Sequence, residues 1–293
     1  MKHLYFRVAD ALFLLQFSES TDIRPLIPSC APFNIPPVKE VPMFEMTVGH
    51  DLVSQEPVGK EIGQFDCGGI NHGMYKTEEG YKILISSPEK ELSCSMETNE
   101  EFSTCRVSLF GDYNNQSFGL NNAMMIAFAF SGAYHDIILM HASVTIYDNK
   151  GYLFLGKSGT GKSTHSQLWH KYISGSELLN DDNPALRFFP KEGKVRVYGT
   201  PWSGKTPCYR NLSVETGAFL RLEQYPENLI NKEPGIKAFA SILSSCSTMI
   251  WDKCSYARIC DTVASIVERI PAYYLRCRPD EAAARLSHQA ITR

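Results

Sequence analysis

The pattern of apolar and polar positions changes character near residue 114. Before that point, short runs rich in aliphatic, aromatic and β-branched residues predict strands, because such side chains suit a pleated, half-buried surface. These runs are LYFRV, ALFLLQF, FEMTV, YKILIS and TCRVSLF. The string MYKTEEGYKILIS predicts a hairpin with Gly80 in its turn. The proline-rich segment 25–42 predicts an extended surface loop.

Helical and strand patterns alternate in the rest of the chain. YNNQS at 113–117 predicts a boundary loop, and LNNAMMIAFAFSGAY predicts a buried helix that begins near Asn121 or Asn122. DIILMHASVTIY and GYLFLG predict two strands joined by the turn DNKG. Towards the C terminus, amphipathic helical patterns flank the strand pattern of AYYLRC. We therefore predict a β-rich N-terminal domain over 1–116 and an α/β domain over 117–293.

Composition and charge narrow the classes of protein. With 293 residues, 43% of them apolar and 21% charged, the chain is typical of a globular protein of about two domains. With a net charge of −3, the chain as a whole has no electrostatic attraction for nucleic acid or an anionic membrane. No apolar run is long enough for a signal-peptide core or a membrane span. Nine cysteines without a CxxC pair argue against a zinc site and indicate reduced thiols in a cytoplasmic protein.

A glycine-rich stretch carries the clearest chemistry. GKSGTGKS at 156–163 fits the phosphate-binding pattern G-x-x-x-x-G-K-[ST], and it lies between an apolar strand and a helical pattern. The glycines allow backbone N–H groups to converge on phosphate oxygens, while Lys162 would reach the β- and γ-phosphates and Ser163 would bind Mg²⁺. A turn that binds nothing is the alternative. The predicted nucleotide contacts are Gly156, Ser158, Gly159, Thr160, Gly161, Lys162, Ser163 and Thr164.

Two adjacent carboxylates follow the next strand pattern, ELLN. A carboxylate at the end of such a strand is where P-loop proteins bind the metal of the nucleotide, and Asp181 and Asp182 lie there. Because neighbouring side chains on a strand point to opposite faces, one carboxylate is expected to bind Mg²⁺ and the other to act as a base toward an acceptor hydroxyl. A solvated turn before Pro184 is the alternative.

A second dense stretch, YGTPWSGKTPCYRN, covers 198–211. Its glycines and prolines predict a loop. Lys205 and Arg210 are two cations that would stabilise the transferring phosphate if this loop closed over it. An ordinary surface loop pinned by Trp202 is the alternative.

The HAS strand, GKSGTGKST and LLNDDN together resemble the HPr kinase/phosphorylase family, whose fold is related to the nucleotide-binding half of phosphoenolpyruvate carboxykinases. The resemblance covers about 119–293 and extends to HPr-kinase-like proteins that carry GTPWSGK and CYRN. It implies a P-loop kinase domain with a mixed sheet and flanking helices, ATP and Mg²⁺ as ligands, and homo-oligomers. It also implies that His141 lies near the active site, that Asp181 is the base, and that Asp182 with Ser163 holds the metal.

Departures from the family limit what the resemblance implies. VRVYGTPW at 195–202 replaces the HPr kinase signature of the LEVRGLGI type, and no basic C-terminal element for phosphorolysis is recognisable. Neither phosphorolysis nor HPr as substrate is therefore expected. The function expected is transfer of the γ-phosphoryl group of ATP to the hydroxyl of a protein, a peptide or a small alcohol. A catalytically inactive nucleotide-binding regulator and a phosphoenolpyruvate carboxykinase-like enzyme stay open as alternatives, as does the choice between ATP and GTP.

Overall fold

The computed structural model describes residues 1–19, 22–67, 70–204 and 206–292. The chain divides into two compact units. The first comprises Met1–His135 with Met249–Ser255, and the second comprises Asp136–Thr248 with Tyr256–Arg293. Each unit is built on its own large mixed sheet with few helices, so the predicted α/β class is confirmed.

The first unit is built mainly of strands. Its strands are β1 (Lys2–Val8), β2 (Ala11–Phe17), β3 (Asn34–Ile35), β4 (Phe44–Gly49), β5 (Lys60–Cys67), β6 (Ile70–Lys76), β7 (Gly80–Ser86), β8 (Leu92–Asn99) and β9 (Thr104–Leu109). They form one sheet in the order β3-β1-β2-β4-β9-β8-β7-β6-β5. The strands β2 and β9 run parallel to β4. The predicted β6–β7 hairpin is confirmed, and the Thr77 N–H donates to the Gly80 carbonyl across its turn at 3.0 Å.

The proline-rich segment is only partly the surface loop that the sequence predicts. It forms two short 3₁₀ helices, Arg24–Leu26 and Pro28–Phe33. Cys30 and Phe33 are fully buried within it. The fixed φ of proline suits the first positions of these helices. The apolar residues between the prolines form the buried face. The prediction of an extended surface loop was therefore wrong for the part of the segment that forms these helices.

The first long helix, α1 (Tyr113–Gly132), begins earlier than predicted. Asp112 caps it, because its side chain accepts a hydrogen bond from the Asn115 N–H at 2.9 Å. The segment 113–117 is thus the first turn of a helix and not a boundary loop. Phe128 of this helix packs edge to face on Phe13 of β2, with ring centroids 6.4 Å apart. The predicted domain boundary at 116 and 117 falls inside α1, and the division lies instead between His135 and Asp136.

The second unit contains the predicted α/β elements. Its strands are β10 (Ile137–Leu139), β11 (Ala142–Tyr147), β12 (Lys150–Leu155), β13 (Glu177–Asn180), β14 (Ala185–Phe189), β15 (Lys194–Tyr198), β16 (Ser213–Gln224), β17 (Leu229–Glu233) and β18 (Ala272–Cys277). Its helices are α2 (Lys162–Tyr172), α3 (Gly235–Leu243), α4 (Lys253–Val267, in this unit from Tyr256 onward) and α5 (Glu281–Ile291). In the described part of the chain, no helix is both long and apolar enough to cross a lipid bilayer.

The strand order of this sheet is β10-β14-β15-β16-β12-β11-β13, with β18 paired to β16 and β17 paired to β18. The strands β12, β16 and β18 are parallel neighbours. The strand β11 is antiparallel to both β12 and β13. The carboxyl ends of β12, β13 and β16 therefore meet at one edge, together with the amino end of β11. In α/β sheets, ligands bind in the crevice at such an edge.

The helix α2 is anchored by buried contacts with α5. Trp169 is fully buried among the side chains of β12, β16 and α5. The Trp169 indole N–H donates to Ser287 Oγ at 2.9 Å, and His165 Nε2 lies 3.0 Å from the same oxygen. Because the Ser287 hydroxyl itself donates to the Ala284 carbonyl, it accepts from both rings. His165 is therefore a buried core residue whose ring is bonded to α5.

Candidate functional site

The loop between β12 and α2 has the backbone that the glycine pattern predicts. Gly156, Gly159 and Gly161 have φ angles of 150°, 81° and 103°, which favour glycine. At Gly156 an added Cβ would lie 2.4 Å from Thr160 Oγ1. At Gly159 an added Cβ would meet no neighbouring atom within 4 Å, so the φ angle alone requires glycine there. The loop runs into the start of α2, whose first N–H groups carry no side-chain cap. This arrangement suits phosphate oxygens.

Lys162 follows this loop as the first residue of α2. Its side chain is 8% exposed. Its Nζ donates to the carbonyl of Gly156 at 3.0 Å and to that of Lys157 at 3.5 Å. Burial lowers the pKa of Lys162, and the negative charges of Asp182 and Asp181 oppose this shift. The lysine therefore lies where the motif predicts it, within electrostatic reach of both carboxylates.

The remaining predicted contacts differ in their surroundings. Thr160 Oγ1 donates to the Lys157 carbonyl at 2.8 Å and so supports the turn of the loop itself. Ser163 is half-buried on the first turn of α2. Ser158 and Thr164 are exposed. Of the hydroxyls in the loop, Ser163 is thus placed at the helix start as the motif requires.

Asp181 is held by two hydroxyl groups, one at each carboxylate oxygen. Its side chain is buried, and Oδ1 accepts from Ser143 Oγ at 2.7 Å while Oδ2 accepts from Thr206 Oγ1 at 2.8 Å. Ser143 lies on β11 and also meets Ser166 Oγ of α2 at 2.6 Å. A chain of short hydrogen bonds therefore connects α2, β11, the end of β13 and the second loop through one carboxylate.

Asp182 faces a different partner. Its Oδ1 lies 3.3 Å from His141 Nδ1, and its Oδ2 accepts from Asn183 Nδ2 at 2.9 Å. The backbone fixes this arrangement, because the Ala142 N–H donates to the Asp182 carbonyl at 2.9 Å. Burial raises the pKa of Asp182, and the charges of His141 and Lys162 oppose that shift. His141, at the amino end of β11, is thus paired with the second carboxylate.

The second loop is tied to the end of β13. Thr200 Oγ1 accepts from Asn180 Nδ2 at 3.1 Å and lies 2.6 Å from the Asn183 carbonyl. Trp202 is buried, and its carbonyl accepts from the Asn183 N–H at 3.2 Å. These bonds hold the backbone on either side of the two aspartates. Trp202 therefore holds this loop in place, as in the alternative of an ordinary surface loop. The loop also contributes Thr206 to the site.

The structure describes one of the two predicted cations of this loop, Arg210. Arg210 Nη1 donates to the Leu178 carbonyl at 2.6 Å, and Nη2 donates to the Glu177 carboxylate at 3.0 Å. Both partners lie at the amino end of β13, whereas the aspartates follow its carboxyl end. The structure thus does not bring Arg210 to the P-loop. Lys205 lies outside the described residues, and its predicted role stays a prediction.

Four residues that line the site were missed in the sequence. Ser143, Ser166 and Thr206 complete the hydrogen-bond chain around Asp181. Arg221 of β16 carries a charge that acts on Lys162. Serine and threonine are too common to single out by sequence, and an isolated arginine in a strand carries no spacing signal. Only the pairing of β16 with β12 places Arg221 beside the loop.

The side chains fit Mg²⁺ bound together with a nucleotide, and they do not form a metal site by themselves. No cluster of three His, Cys, Asp or Glu residues suited to a metal ion occurs in the ranges that the structure describes. Protein-bound Mg²⁺ with phosphates needs only one or two carboxylates, with phosphate oxygens and waters as the other ligands. The Ser163 hydroxyl and the carboxylates of Asp181 and Asp182 are oxygen donors of the type that this hard cation prefers.

Comparisons with known proteins give distant similarity to solved structures alone. No protein-family model matches the chain, and no curated protein matches it. Among solved structures, the HPr(Ser) kinase/phosphatase from Coxiella burnetii is similar at 15% sequence identity and a TM-score of 0.31. The match covers 53% of this chain and 88% of that one.

Proposed function

We propose that this chain binds a nucleoside triphosphate with Mg²⁺ in the P-loop and transfers the terminal phosphoryl group to a hydroxyl of an acceptor. The observation that carries the proposal is the chain of hydrogen bonds from Ser166 through Ser143 to Asp181, which joins α2, the helix that begins at Lys162, to the pair of aspartates at one edge of the sheet. A phosphate-binding loop alone fits any nucleotide-binding protein. A carboxylate paired with a histidine beside that loop adds a group that accepts a proton.

Binding is assigned to the backbone of the loop and to Lys162. The Nζ of Lys162 donates to the Gly156 and Lys157 carbonyls, and we expect it to exchange these neutral acceptors for phosphate oxygens. Hydrogen bonds between charged groups are about twice as strong as neutral ones, which favours this exchange. ATP is the proposed nucleotide, and GTP is the comparison that any binding experiment should include.

Mg²⁺ bound with the nucleotide would neutralise charge on the phosphate oxygens. Ser163 and Asp181 are the side chains proposed to hold it. Both oxygens of Asp181 already accept hydroxyl hydrogen bonds, which fix the orientation of this carboxylate toward a ligand. This support is the reason for placing Asp181 on the metal side of the site.

The contacts favour Asp182 as the proton acceptor, which reverses the division of roles implied by the family resemblance. Its side chain is 29% exposed, so an acceptor hydroxyl can approach it, whereas Asp181 is buried. Burial raises the pKa of Asp182, which brings the carboxylate closer to the pH of its surroundings and makes it a better base. His141 orients the carboxylate through Nδ1.

The proposed transfer is a direct displacement at phosphorus. The acceptor oxygen forms a bond to the γ-phosphorus, and its proton passes to the Asp182 carboxylate. The bond from the γ-phosphorus to the bridging oxygen breaks, and its electron pair stays on the nucleoside diphosphate. Lys162 stabilises the charge that develops on the phosphate oxygens. The products are a phosphomonoester and a nucleoside diphosphate.

Phosphorus NMR of the protein with Mg²⁺ and ATP tests this proposal, using serine peptides and small alcohols as acceptors. The expected result is one new phosphomonoester for each ADP formed. The Asp181→Asn, Asp182→Asn double variant is the matched control and should form neither product. Equal turnover by the double variant would contradict the assignment. Tight ATP binding by the wild type without transfer or hydrolysis across the panel would replace the kinase with a nucleotide-binding regulator.

A further inference from the structure

Arg221 is a charged side chain whose partners among the described residues are neutral. Its Nε donates to Ser241 Oγ at 2.7 Å, and its Nη2 donates to the Ser241 carbonyl at 2.7 Å. Nη2 also contacts the hydroxyl of Ser244 and lies 3.5 Å from that of Ser245. Within the described ranges, Arg221 forms no ion pair with a carboxylate. A half-buried guanidinium without an anion is placed to bind one from outside the chain.

The position of Arg221 identifies the site from which that anion comes. On the parallel strands β12 and β16, Arg221 is in register with Leu155, the residue before Gly156 of the P-loop. Arg221 thus lies beside the start of the P-loop, and Lys162 lies at its end. Phosphate oxygens bound in this loop would be attracted to both cations.

The serine turn that holds Arg221 also supports the proposed base. The turn follows α3, and the Ser245 carbonyl accepts from the His141 N–H at 2.7 Å. The Ser247 N–H donates to the Leu139 carbonyl at 2.9 Å, which adds the turn to the edge of the sheet. One short segment thus lies between Arg221 on one side and the His141–Asp182 pair on the other. The reacting phosphoryl group must lie next to this pair, because the acceptor hydroxyl has to reach both.

We propose that Arg221 binds the terminal phosphoryl group of the nucleotide and stabilises its charge during transfer. This inference rests on the proposed function and adds a catalytic residue that the motif does not contain. The planar guanidinium can donate two parallel hydrogen bonds to phosphate oxygens, which an ammonium group cannot do. The hydroxyls of Ser241 and Ser244 hold the guanidinium of Arg221 at the edge of the site until phosphate oxygens replace them.

Calorimetry with Arg221→Gln tests the proposal, using Mg²⁺ with ADP and with an ATP analogue whose β–γ bridge is an imido group. A lost charge-assisted contact weakens binding about 10- to 100-fold. We expect that loss for the triphosphate and a change of less than about threefold for the diphosphate, because the contact is to the terminal group. In addition, kcat should fall more than KM for ATP rises.

Arg196→Gln is the matched control. Arg196 of β15 is also held by a serine, with Nη2 donating to Ser213 Oγ at 2.9 Å, but it lies beside the amino end of β16. It should retain the wild-type affinity for both nucleotides. If Arg221→Gln does not fold, Arg221→Lys carries the test and should lose at least about threefold in triphosphate affinity, since lysine lacks the planar fork.

The outcomes separate this inference from the proposed function. Wild-type protein that binds both nucleotides, with the same triphosphate preference in the Arg221 variants, overturns the role of Arg221 alone. Equal weakening for both nucleotides, together with a lower Tm, also overturns it and shows a structural role. Failure of the wild type to bind either nucleotide overturns the proposed function itself.

Discussion

The His141 imidazole and the Asp182 carboxylate form a pair, with Nδ1 and Oδ1 3.3 Å apart. Strand pairing explains this contact between residues that are far apart in the sequence. Because β11 is antiparallel to β13, the amino end of one strand adjoins the carboxyl end of the other. The charge of His141 lowers the pKa of Asp182, whereas burial raises it, and burial has the larger effect. The pair therefore sets the pH at which this carboxylate can accept a proton.

Removing the histidine is expected to change the pH dependence of the rate. The proposed base must be ionised, so kcat should rise with pH through the pKa of Asp182, which lies above its ordinary value of 3.8. His141→Gln removes a charge that lowers this pKa, so the acidic limb of the profile should move to higher pH. A pH–rate profile of the two proteins checks this. An acidic limb at the same pH as in the wild type, or at a lower pH, would show that His141 does not act on the base.

The two aspartates are expected to differ in their response to metal. Asp182→Asn should lower kcat by about 10²–10⁴-fold at every Mg²⁺ concentration, because general-base catalysis is lost. Asp181→Asn should instead raise the Mg²⁺ concentration needed for half-maximal rate. Steady-state rates across a Mg²⁺ titration distinguish the variants. If Asp181→Asn loses rate at saturating Mg²⁺ and Asp182→Asn shifts the metal requirement, the division of roles is the one that the family resemblance implies.

Arg210 is expected to stabilise the fold more than it assists the reaction. Its guanidinium bonds to the Leu178 carbonyl and the Glu177 carboxylate at the amino end of β13. Arg210→Gln should therefore lower the free energy of unfolding by about 1 kcal/mol and change kcat by less than about twofold, since no phosphate contact is lost. Glu177→Gln is the control that removes the same ion pair. A tenfold fall of kcat in Arg210→Gln alone would return the arginine to its predicted catalytic role.

His165 is expected to make stability sensitive to acid. Burial lowers its pKa from 6.5 to about 4. Because the folded-state pKa is depressed, its contribution to stability is present above pH 6.5 and is lost as the pH falls toward 4. Between pH 7 and pH 5 the loss should be about 2 kcal/mol. Denaturant unfolding of the wild type and of His165→Gln measures it, and equal pH slopes in the two proteins would contradict the assignment.

The sequence predicted the parts of the site that have a local pattern. The P-loop follows from glycine spacing between a strand and a helix, and the carboxylates follow from their place after an apolar strand. The roles of Ser143 and Arg221 depend on which strands pair with β12, and strand pairing leaves no local signal. The start of α1 was missed because Asp112 caps a first turn rich in asparagine, whose composition is typical of a loop.

Calorimetric titration of the protein with ATP and GTP in the presence of Mg²⁺ tests the central claim most directly, because every proposed step requires a triphosphate at the P-loop. The account predicts binding by the wild type and by Lys171→Ala, whose lysine is exposed at the far end of α2. Lys162→Ala should bind about 10- to 100-fold more weakly, since a charge-assisted contact is lost. Wild-type protein that binds neither nucleotide, or Lys162→Ala that binds as tightly as the wild type, would contradict it.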